Sequence, residues 1–258
     1  MKKAIYTGYE MIDKDFGGLK SGEVTLIGGR PSMGKTSLAL QIALNAAKNG
    51  ESVFFITAEN SPIELELRLA SIISGTEMNK IRMWDLTDSE WEVFRKTIRE
   101  VKELPIHFIH TDTMQMIRHC LEENKEVDMI VFDYLQLIHN SITETKDGTL
   151  ELTSVEFLNE FKKIAKKKKV PVVVLSQLSR RLEKRKDKHP KVGDFRIDNL
   201  TEDDFDQAFL LYRDAYYDID APKDKAELIG VFPKKGLKET KAISWNYETG
   251  IFESKTLE

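Results

Sequence analysis

The segment Val24-Thr-Leu-Ile-Gly-Gly-Arg-Pro-Ser-Met-Gly-Lys-Thr36 decides the fold, because a short apolar run passes directly into a glycine-rich loop. Residues 29–36 match the pattern G-x-x-x-x-G-K-[ST] at every fixed position. In this pattern backbone N–H groups cradle phosphate, the lysine reaches the β- and γ-phosphates, and the final hydroxyl joins a magnesium shell. We therefore predict ATP and Mg²⁺ as cofactors. The predicted nucleotide-binding residues are Gly29, Arg30, Pro31, Ser32, Met33, Gly34, Lys35, Thr36 and Ser37.

Three further apolar runs, at residues 52–59, 129–135 and 170–177, are continuous rather than alternating. Such runs are typical of parallel strands that helices cover on both faces. Helical patterns occur at Lys35–Lys48, Pro62–Ser74, Ser89–Glu103 and Leu152–Lys169. The alternation predicts one α/β domain over residues 1–258 with a mostly parallel sheet. Short β runs at Leu228–Phe232 and Ala242–Asn246 predict a small antiparallel extension at its C-terminal edge.

Composition narrows the class of protein. The chain has 258 residues, of which 41% are hydrophobic and 32% charged, a balance typical of folded globular proteins. The single cysteine, Cys120, excludes an internal disulfide and a zinc site built on several cysteines. No apolar leader or long apolar run is present, so we expect a cytoplasmic protein without a membrane partner. A net charge of −4 excludes a globally basic surface, so any nucleic-acid binding must come from a local patch.

Polar residues at the ends of three predicted strands are candidates for catalysis. Asp133 closes the run at 129–132 and is predicted to hold the metal. Glu59 ends another strand, where it could deprotonate water, and Gln177 ends a third, where its amide could detect the γ-phosphate. Each residue has a structural alternative. Asp133 could be a helix-capping aspartate, Glu59 an acid at a helix N-terminus, and Gln177 an ordinary polar residue at a strand end.

The chain resembles the RecA-like motor domain of the DnaB-type replicative helicases over nearly its whole length. The most specific matching stretches are Arg30-Pro-Ser-Met-Gly-Lys-Thr, Phe132-Asp-Tyr-Leu-Gln-Leu-Ile, Leu175-Ser-Gln-Leu-Ser-Arg and Leu211-Tyr-Arg-Asp-Ala-Tyr-Tyr. The resemblance implies a RecA-like P-loop fold and a homo-hexameric ring ATPase that translocates on single-stranded DNA, with replication proteins as partners. It also implies that Lys35 and Thr36 bind nucleotide and magnesium, that Glu59 is the catalytic base, Asp133 the magnesium carboxylate and Gln177 the γ-phosphate sensor.

Three departures from the family pattern affect these expectations. The family's N-terminal domain and linker helix have no counterpart before the motor motifs, which predicts marginal ring assembly. The central DNA-binding loop of the family keeps its arginine as Arg196, but its glutamate and glycine are replaced by Ile197 and Asn199. Lys234 occupies the place of the arginine that the family supplies to a neighbouring subunit's ATP. We expect Lys234 to take this catalytic role weakly.

Seven basic residues between positions 180 and 191 form the densest positive segment after the predicted sensor strand. We predict that a phosphate chain follows this segment without sequence preference. The predicted DNA-binding residues are Arg180, Arg181, Arg185, Lys186 and Arg196. The alternative is a solvated charged loop without a ligand.

Three functions remain open from the sequence. The leading one is an ATP-dependent helicase motor. The second is a catalytically weak relative that regulates, loads or inhibits a replicative helicase, which the weakened DNA loop and the lost arginine favour. The third, a recombinase-like filament ATPase, disagrees with the Asp133-Tyr-Leu-Gln-Leu and Ser176-Gln-Leu-Ser-Arg blocks.

Overall fold

A nine-stranded sheet forms the centre of the computed structural model, which describes residues 4–124, 126–138 and 153–254. The strand order is β3-β2-β4-β5-β1-β6-β7-β8-β9. The strands are β1 (Val24–Gly29), β2 (Val53–Thr57), β3 (Ile106–His110), β4 (Met129–Asp133), β5 (Val172–Gln177), β6 (Gln207–Tyr212), β7 (Lys225–Phe232), β8 (Leu237–Asn246) and β9 (Ile251–Ser254). The first six strands in chain order pair in parallel and the last three pair antiparallel. The predicted mostly parallel sheet with an antiparallel C-terminal extension is therefore confirmed.

We call the side on which β1 to β6 begin the amino edge of the sheet, and the side on which they end the carboxyl edge. In strand β5, Val173 and Leu175 enter one hydrophobic cluster, while Val172 and Val174 enter the cluster on the opposite face. Burial on both faces explains why the parallel strands appear in the sequence as continuous apolar runs.

Helices pack against the two faces of the sheet, and their boundaries follow local capping chemistry. They are α1 (Lys35–Lys48), α2 (Pro62–Ser74), α3 (Met78–Met83), α4 (Asp88–Glu103), α5 (Met114–Glu123) and α6 (Ser154–Lys168). Helix α2 begins where Ser61 accepts the Glu64 N–H, with proline at its first position, and ends at Gly75, whose φ is 70°. Helix α6 begins at a reciprocal capping box between Thr153 and Glu156.

The predicted bounds of α1 and α2 agree with the structure, while other elements differ from the sequence pattern. Helix α6 was expected from Leu152, which lies outside the described residues, and its described part begins after the Thr153 cap. Strand β3 was missed because His107 and His110 interrupt its apolar run and are exposed. Among the described residues, no helix has the length and apolar character needed to cross a membrane.

Candidate active site

The glycine-rich loop joins the carboxyl end of β1 to the start of α1 and forms the floor of a cavity of about 440 Å³. Gly34 is the N-cap of α1 with a φ of 100°, and it offers no side chain to the first N–H groups of the helix. These donors are left for an anion at the positive end of the helix dipole. A Cβ atom on Gly34 would lie 2.7 Å from the Phe252 ring, so glycine is required by conformation and by space.

The predicted loop residues fall into two groups, those that line the cavity and those whose side chains point elsewhere. Side chains or backbone of several of them line it, namely Pro31, Ser32, Gly34, Lys35, Thr36 and Ser37. Met33 is buried in the hydrophobic core, and the Arg30 guanidinium donates to the Leu178 carbonyl at 2.7 Å and to Glu183 at 2.8 Å. Any contact of Arg30 or Met33 with nucleotide must therefore come from the backbone.

Thr36 and Asp133 meet beneath the cavity. The Thr36 hydroxyl donates a 2.7 Å hydrogen bond to Asp133 Oδ2, while Asp133 Oδ1 is buried without a hydrogen-bond partner. Burial raises the pKa of Asp133 to about 6, although the Thr36 hydrogen bond and the Lys35 charge oppose this shift. A buried carboxylate oxygen without a donor, next to a hydroxyl, fits a small oxygen-loving cation such as Mg²⁺.

No cluster of three or more histidine, cysteine or acidic side chains suited to a metal occurs in the described parts of the chain. Thr36 and Asp133 would therefore hold a Mg²⁺ ion together with the bound nucleotide rather than as an ion site made of protein groups alone. This is the usual arrangement for magnesium in nucleotide sites.

Lys35 and Glu59 reach the same cavity from different elements. Burial lowers the pKa of Lys35 to about 8, against the opposing effect of the Asp133 and Glu59 carboxylates. Glu59 follows β2 in a turn in which Thr57 Oγ1 accepts the backbone N–H groups of Glu59 and Asn60, at 3.2 and 3.0 Å. Glu59 is exposed, so its carboxylate can contact water in the cavity.

Gln177, at the end of β5, also lines the cavity. Its side-chain oxygen accepts a 2.7 Å hydrogen bond from the Arg196 guanidinium. Its amide NH₂ remains the group that can donate toward a phosphate. The predicted sensor and one predicted DNA-binding residue are therefore in direct contact.

Part of the cavity is lined by residues that the sequence motifs do not indicate. The β8–β9 turn supplies Tyr247 and Thr249, and helices α2 and α3 supply Ile72 and Met78. Tyr247 is 71% exposed, so one ring face is free to stack on a planar ligand. The sequence shows an aromatic pair here, Trp245 and Tyr247, but does not indicate that it lies at the cavity.

Two side chains fix this turn against the phosphate loop. Gln41 of α1 accepts the Phe252 N–H at 3.0 Å and donates to the Gly250 carbonyl at 3.2 Å. Arg213 donates to the Ser32 carbonyl at 3.2 Å and lies 4.9 Å from the Trp245 ring centre. The β8–β9 turn therefore packs directly against the phosphate loop and the start of α1.

Lys234 lies at the opposite edge of the sheet from the cavity. Its ammonium pairs with Asp206 Oδ1, while Asp206 Oδ2 accepts the N–H of Val24, the first residue of β1, at 2.8 Å. The phosphate loop follows the last residue of the same strand. Lys234 therefore cannot reach the nucleotide site of its own chain.

Some side chains of the basic segment at residues 180–191 are exposed, whereas another forms an ion pair within the protein. Arg180, Arg181 and Lys186 are exposed. The Arg185 guanidinium instead makes a two-pronged ion pair with Asp194, at 2.9 and 2.8 Å, and donates to the His189 carbonyl at 2.8 Å. Arg185 therefore holds the segment in shape, and a DNA contact from it stays a prediction.

Comparisons of the sequence with known proteins all indicate the same family. The model of the DnaB-like helicase C terminal domain matches residues 4–254. The replicative DNA helicase DnaC of Bacillus subtilis is 33% identical over 255 residues, which are 96% of this chain and 56% of the relative. The replicative DNA helicase DnaB of Geobacillus stearothermophilus shows the same identity and coverage. The chain thus spans about half the length of these relatives.

Solved structures agree with the sequence relatives. One of them, an isolated ATPase domain, superimposes with a TM-score of 0.85 at 28% identity, over 98% of this chain and 91% of that one. A DnaB-like replicative helicase, described with its interactions with primase, gives a TM-score of 0.84 at 28% identity over 98% and 62% of the two chains. The RecA-like fold expected from the motifs is confirmed.

Proposed function

This chain belongs to the family of DnaB-like helicase C-terminal domains, and from that premise we propose that it is an ATP-driven motor. In this proposal it hydrolyses ATP and translocates on single-stranded DNA as a homo-hexameric ring during DNA replication. The observation that carries the proposal is the Thr36–Asp133 pair, with its unpartnered carboxylate oxygen, in one cavity with Lys35 and Glu59.

Nucleotide binding is assigned to the phosphate loop. The N–H groups at the start of α1 and the Lys35 ammonium hold the phosphates, and Lys35 becomes fully charged once they are present. Thr36 and Asp133 hold Mg²⁺, which neutralises charge on the β- and γ-phosphates when it is bound. The turn bearing Tyr247 and Thr249 holds the base and ribose.

Hydrolysis is assigned to Glu59. Its carboxylate takes a proton from the attacking water, whose oxygen forms the new bond to the γ-phosphorus while ADP leaves. Gln177 orients the γ-phosphate through its amide NH₂. The hydrogen bond between Arg196 and Gln177 supports a link between the proposed γ-phosphate sensor and the proposed DNA-binding segment.

DNA binding is assigned to the exposed charges Arg180, Arg181 and Lys186, with Arg196 beside them. Single-stranded DNA is held through its phosphates, so binding is independent of base sequence. The DnaB-like helicase of known structure is described with primase. We extend that observation to propose a replication protein as a partner of this chain.

In the proposed ring, Lys234 of one copy acts at the nucleotide site of the next copy. Lys234 sits at the amino edge, paired only with carboxylates of its own chain among the contacts that the structure describes. We place this edge against the cavity of the next copy in a head-to-tail ring. The Lys234 ammonium then stabilises charge on the transferred phosphate.

Steady-state ATP hydrolysis with and without single-stranded DNA, together with the mass of the protein in solution, tests this function. The proposal predicts hydrolysis that DNA accelerates, in a hexamer that separates a forked duplex. Nucleotide binding without DNA-stimulated hydrolysis would contradict it. That result would instead support a protein that regulates a replicative helicase.

A further inference from the structure

Gln136 bridges three parts of the site, namely the turn after Asp133, the end of β5 and the segment bearing Arg196. It lies on a short 3₁₀ turn, Leu135–Leu137, three residues after Asp133. Its side-chain oxygen accepts the Gln177 N–H at 2.9 Å. Its amide nitrogen donates to Ser176 Oγ at 2.8 Å and to the Arg196 carbonyl at 3.1 Å. The acceptor and both donor hydrogens of this amide are therefore engaged.

The partners of Gln136 are also bonded to one another. The Arg196 N–H donates to the Gln177 carbonyl at 3.1 Å, and the Arg196 guanidinium donates to the Gln177 side chain at 2.7 Å. An isolated antiparallel bridge joins Leu178 to Phe195 immediately beyond them. The network is closed, so a shift of one member strains hydrogen bonds to the others.

Gln136 makes these bonds without belonging to the hydrophobic core. Its neighbour Leu135 is 1% exposed and carries the packing of the turn, whereas Gln136 is partly exposed. An asparagine at this position would be one methylene too short to span the same groups. The side chain is thus suited to connecting segments rather than to stabilising the fold.

We propose that Gln136 is a positioning residue that couples nucleotide state to DNA affinity. It ties the Asp133 turn and the sensor Gln177 to the segment bearing Arg196, so these elements move together when the γ-phosphate is bound or lost. The inference rests on the proposed motor function. Because coupling between two sites is reciprocal, Gln136 must affect nucleotide affinity in the presence of DNA by the same factor.

The test compares wild type, Gln136→Ala, Gln136→Glu and a control, Gln115→Ala, which removes an exposed glutamine from α5. Fluorescence anisotropy gives the affinity for an oligothymidylate with ADP and with a nonhydrolysable ATP analogue. The ratio of the two affinities measures coupling. We expect wild type and Gln115→Ala to share one ratio, and Gln136→Ala to reduce it at least about fivefold, toward unity. Nucleotide affinity without DNA should change less than about twofold, because Gln136 does not touch the phosphates.

The variant Gln136→Glu keeps the acceptor for the Gln177 N–H but cannot donate to Ser176 or Arg196. This variant should lose coupling although its side chain keeps the size of glutamine. A thermal melt shows whether Gln136→Ala is folded, and if it is not, Gln136→Glu provides the test. If either variant keeps the wild-type ratio of DNA affinities, the proposed role of Gln136 is wrong, while the proposed motor function is unaffected. A ratio of unity in wild type contradicts the motor function and this inference together.

Discussion

At the carboxyl edge of the sheet, Lys35, Thr36 and Asp133 converge in one cavity, whereas at the amino edge Lys234 lies 57% exposed beside Asp206. Strand β1 has six residues and joins the two edges, which are therefore about 17 Å apart. Burial lowers the pKa of Lys35 and raises that of Asp133, whereas the hydrogen bond to Asp206 raises the pKa of Lys234.

This difference indicates how catalysis is divided. In the proposed function, the carboxyl edge supplies the residues that bind nucleotide and activate water. The amino edge carries a cation that its own nucleotide site cannot use. We propose that the two edges form one active site only when two copies of the chain meet.

The largest expected effect comes from Glu59→Gln at the carboxyl edge. Removing the proton acceptor should lower the rate of ATP hydrolysis by about 10³-fold or more, with nucleotide affinity nearly unchanged. Rapid-quench hydrolysis assays and calorimetric titration measure the two quantities. Glu66→Gln, on α2, is a matched control. Hydrolysis at the wild-type rate by the Glu59 variant would mean that the base lies elsewhere.

Lys35→Ala should weaken binding of a nonhydrolysable ATP analogue by about 30-fold. A charge-assisted contact of this kind contributes about 2 kcal/mol. Calorimetric titration measures the loss, and Lys48→Ala at the exposed end of α1 should leave affinity unchanged. Equal affinities for wild type and Lys35→Ala would remove the phosphate-loop assignment.

Nucleotide affinity should also depend on pH through Lys35. The free protein holds the pKa of Lys35 at about 8 because the ammonium is partly buried. Bound phosphates favour the ammonium and raise that pKa, so binding takes up a proton above pH 8 and affinity falls as pH rises. The expected loss between pH 8 and pH 9 is about fivefold. In Lys35→Arg the guanidinium stays charged, and the profile should be flat over this range. The same slope in both proteins would assign the titration to another group.

How much of this site the sequence could predict depends on how its residues are brought together. The phosphate loop is one continuous segment, so Lys35 and Thr36 were identified from spacing alone. Asp133 and Glu59 followed because parallel strands end at the same edge. Tyr247 was missed, since only the strand order brings it to the cavity, more than 200 residues after the loop. A pattern of residue types carries no information about such a contact.

Arg185 illustrates the same limit in the basic segment. The sequence showed its charge but not its partner, and the structure pairs it with Asp194 nine residues later. Arg196 was matched to a DNA-binding loop, yet its hydrogen bonds to Gln177 and Gln136 could be found only in three dimensions. Charge density therefore predicts where phosphate can bind but not which side chains remain free.

DNA binding is expected to show the smallest effect, a change in salt dependence. Replacing the three exposed charges Arg180, Arg181 and Lys186 with alanine should reduce the slope of log K against log salt by about two units, at about 0.7 for each DNA phosphate that is no longer neutralised. Titrations of labelled oligothymidylate at several salt concentrations give the slope. The control replaces Lys96, Arg99 and Lys102, three exposed charges on α4. Equal slopes for the two triple variants would show that the basic segment does not contact DNA.

The division of catalysis between the two edges is tested most directly by mixing two variants that each lack one part of the proposed shared site. Lys234→Ala lacks the cation of the amino edge, and Glu59→Gln lacks the base of the carboxyl edge. Lys238→Ala, an exposed lysine on β8, is the matched control and should remain active.

In a mixed ring some interfaces pair an intact Glu59 with the neighbour's intact Lys234. Equal mixing should therefore restore up to about a quarter of the wild-type rate of ATP hydrolysis, since each interface has a one-in-two chance at each position. Mass measurement confirms that the subunits assemble together. Restored hydrolysis is the predicted result. No hydrolysis in a confirmed mixed ring, or normal hydrolysis by Lys234→Ala as a monomer, would contradict a site shared between two copies.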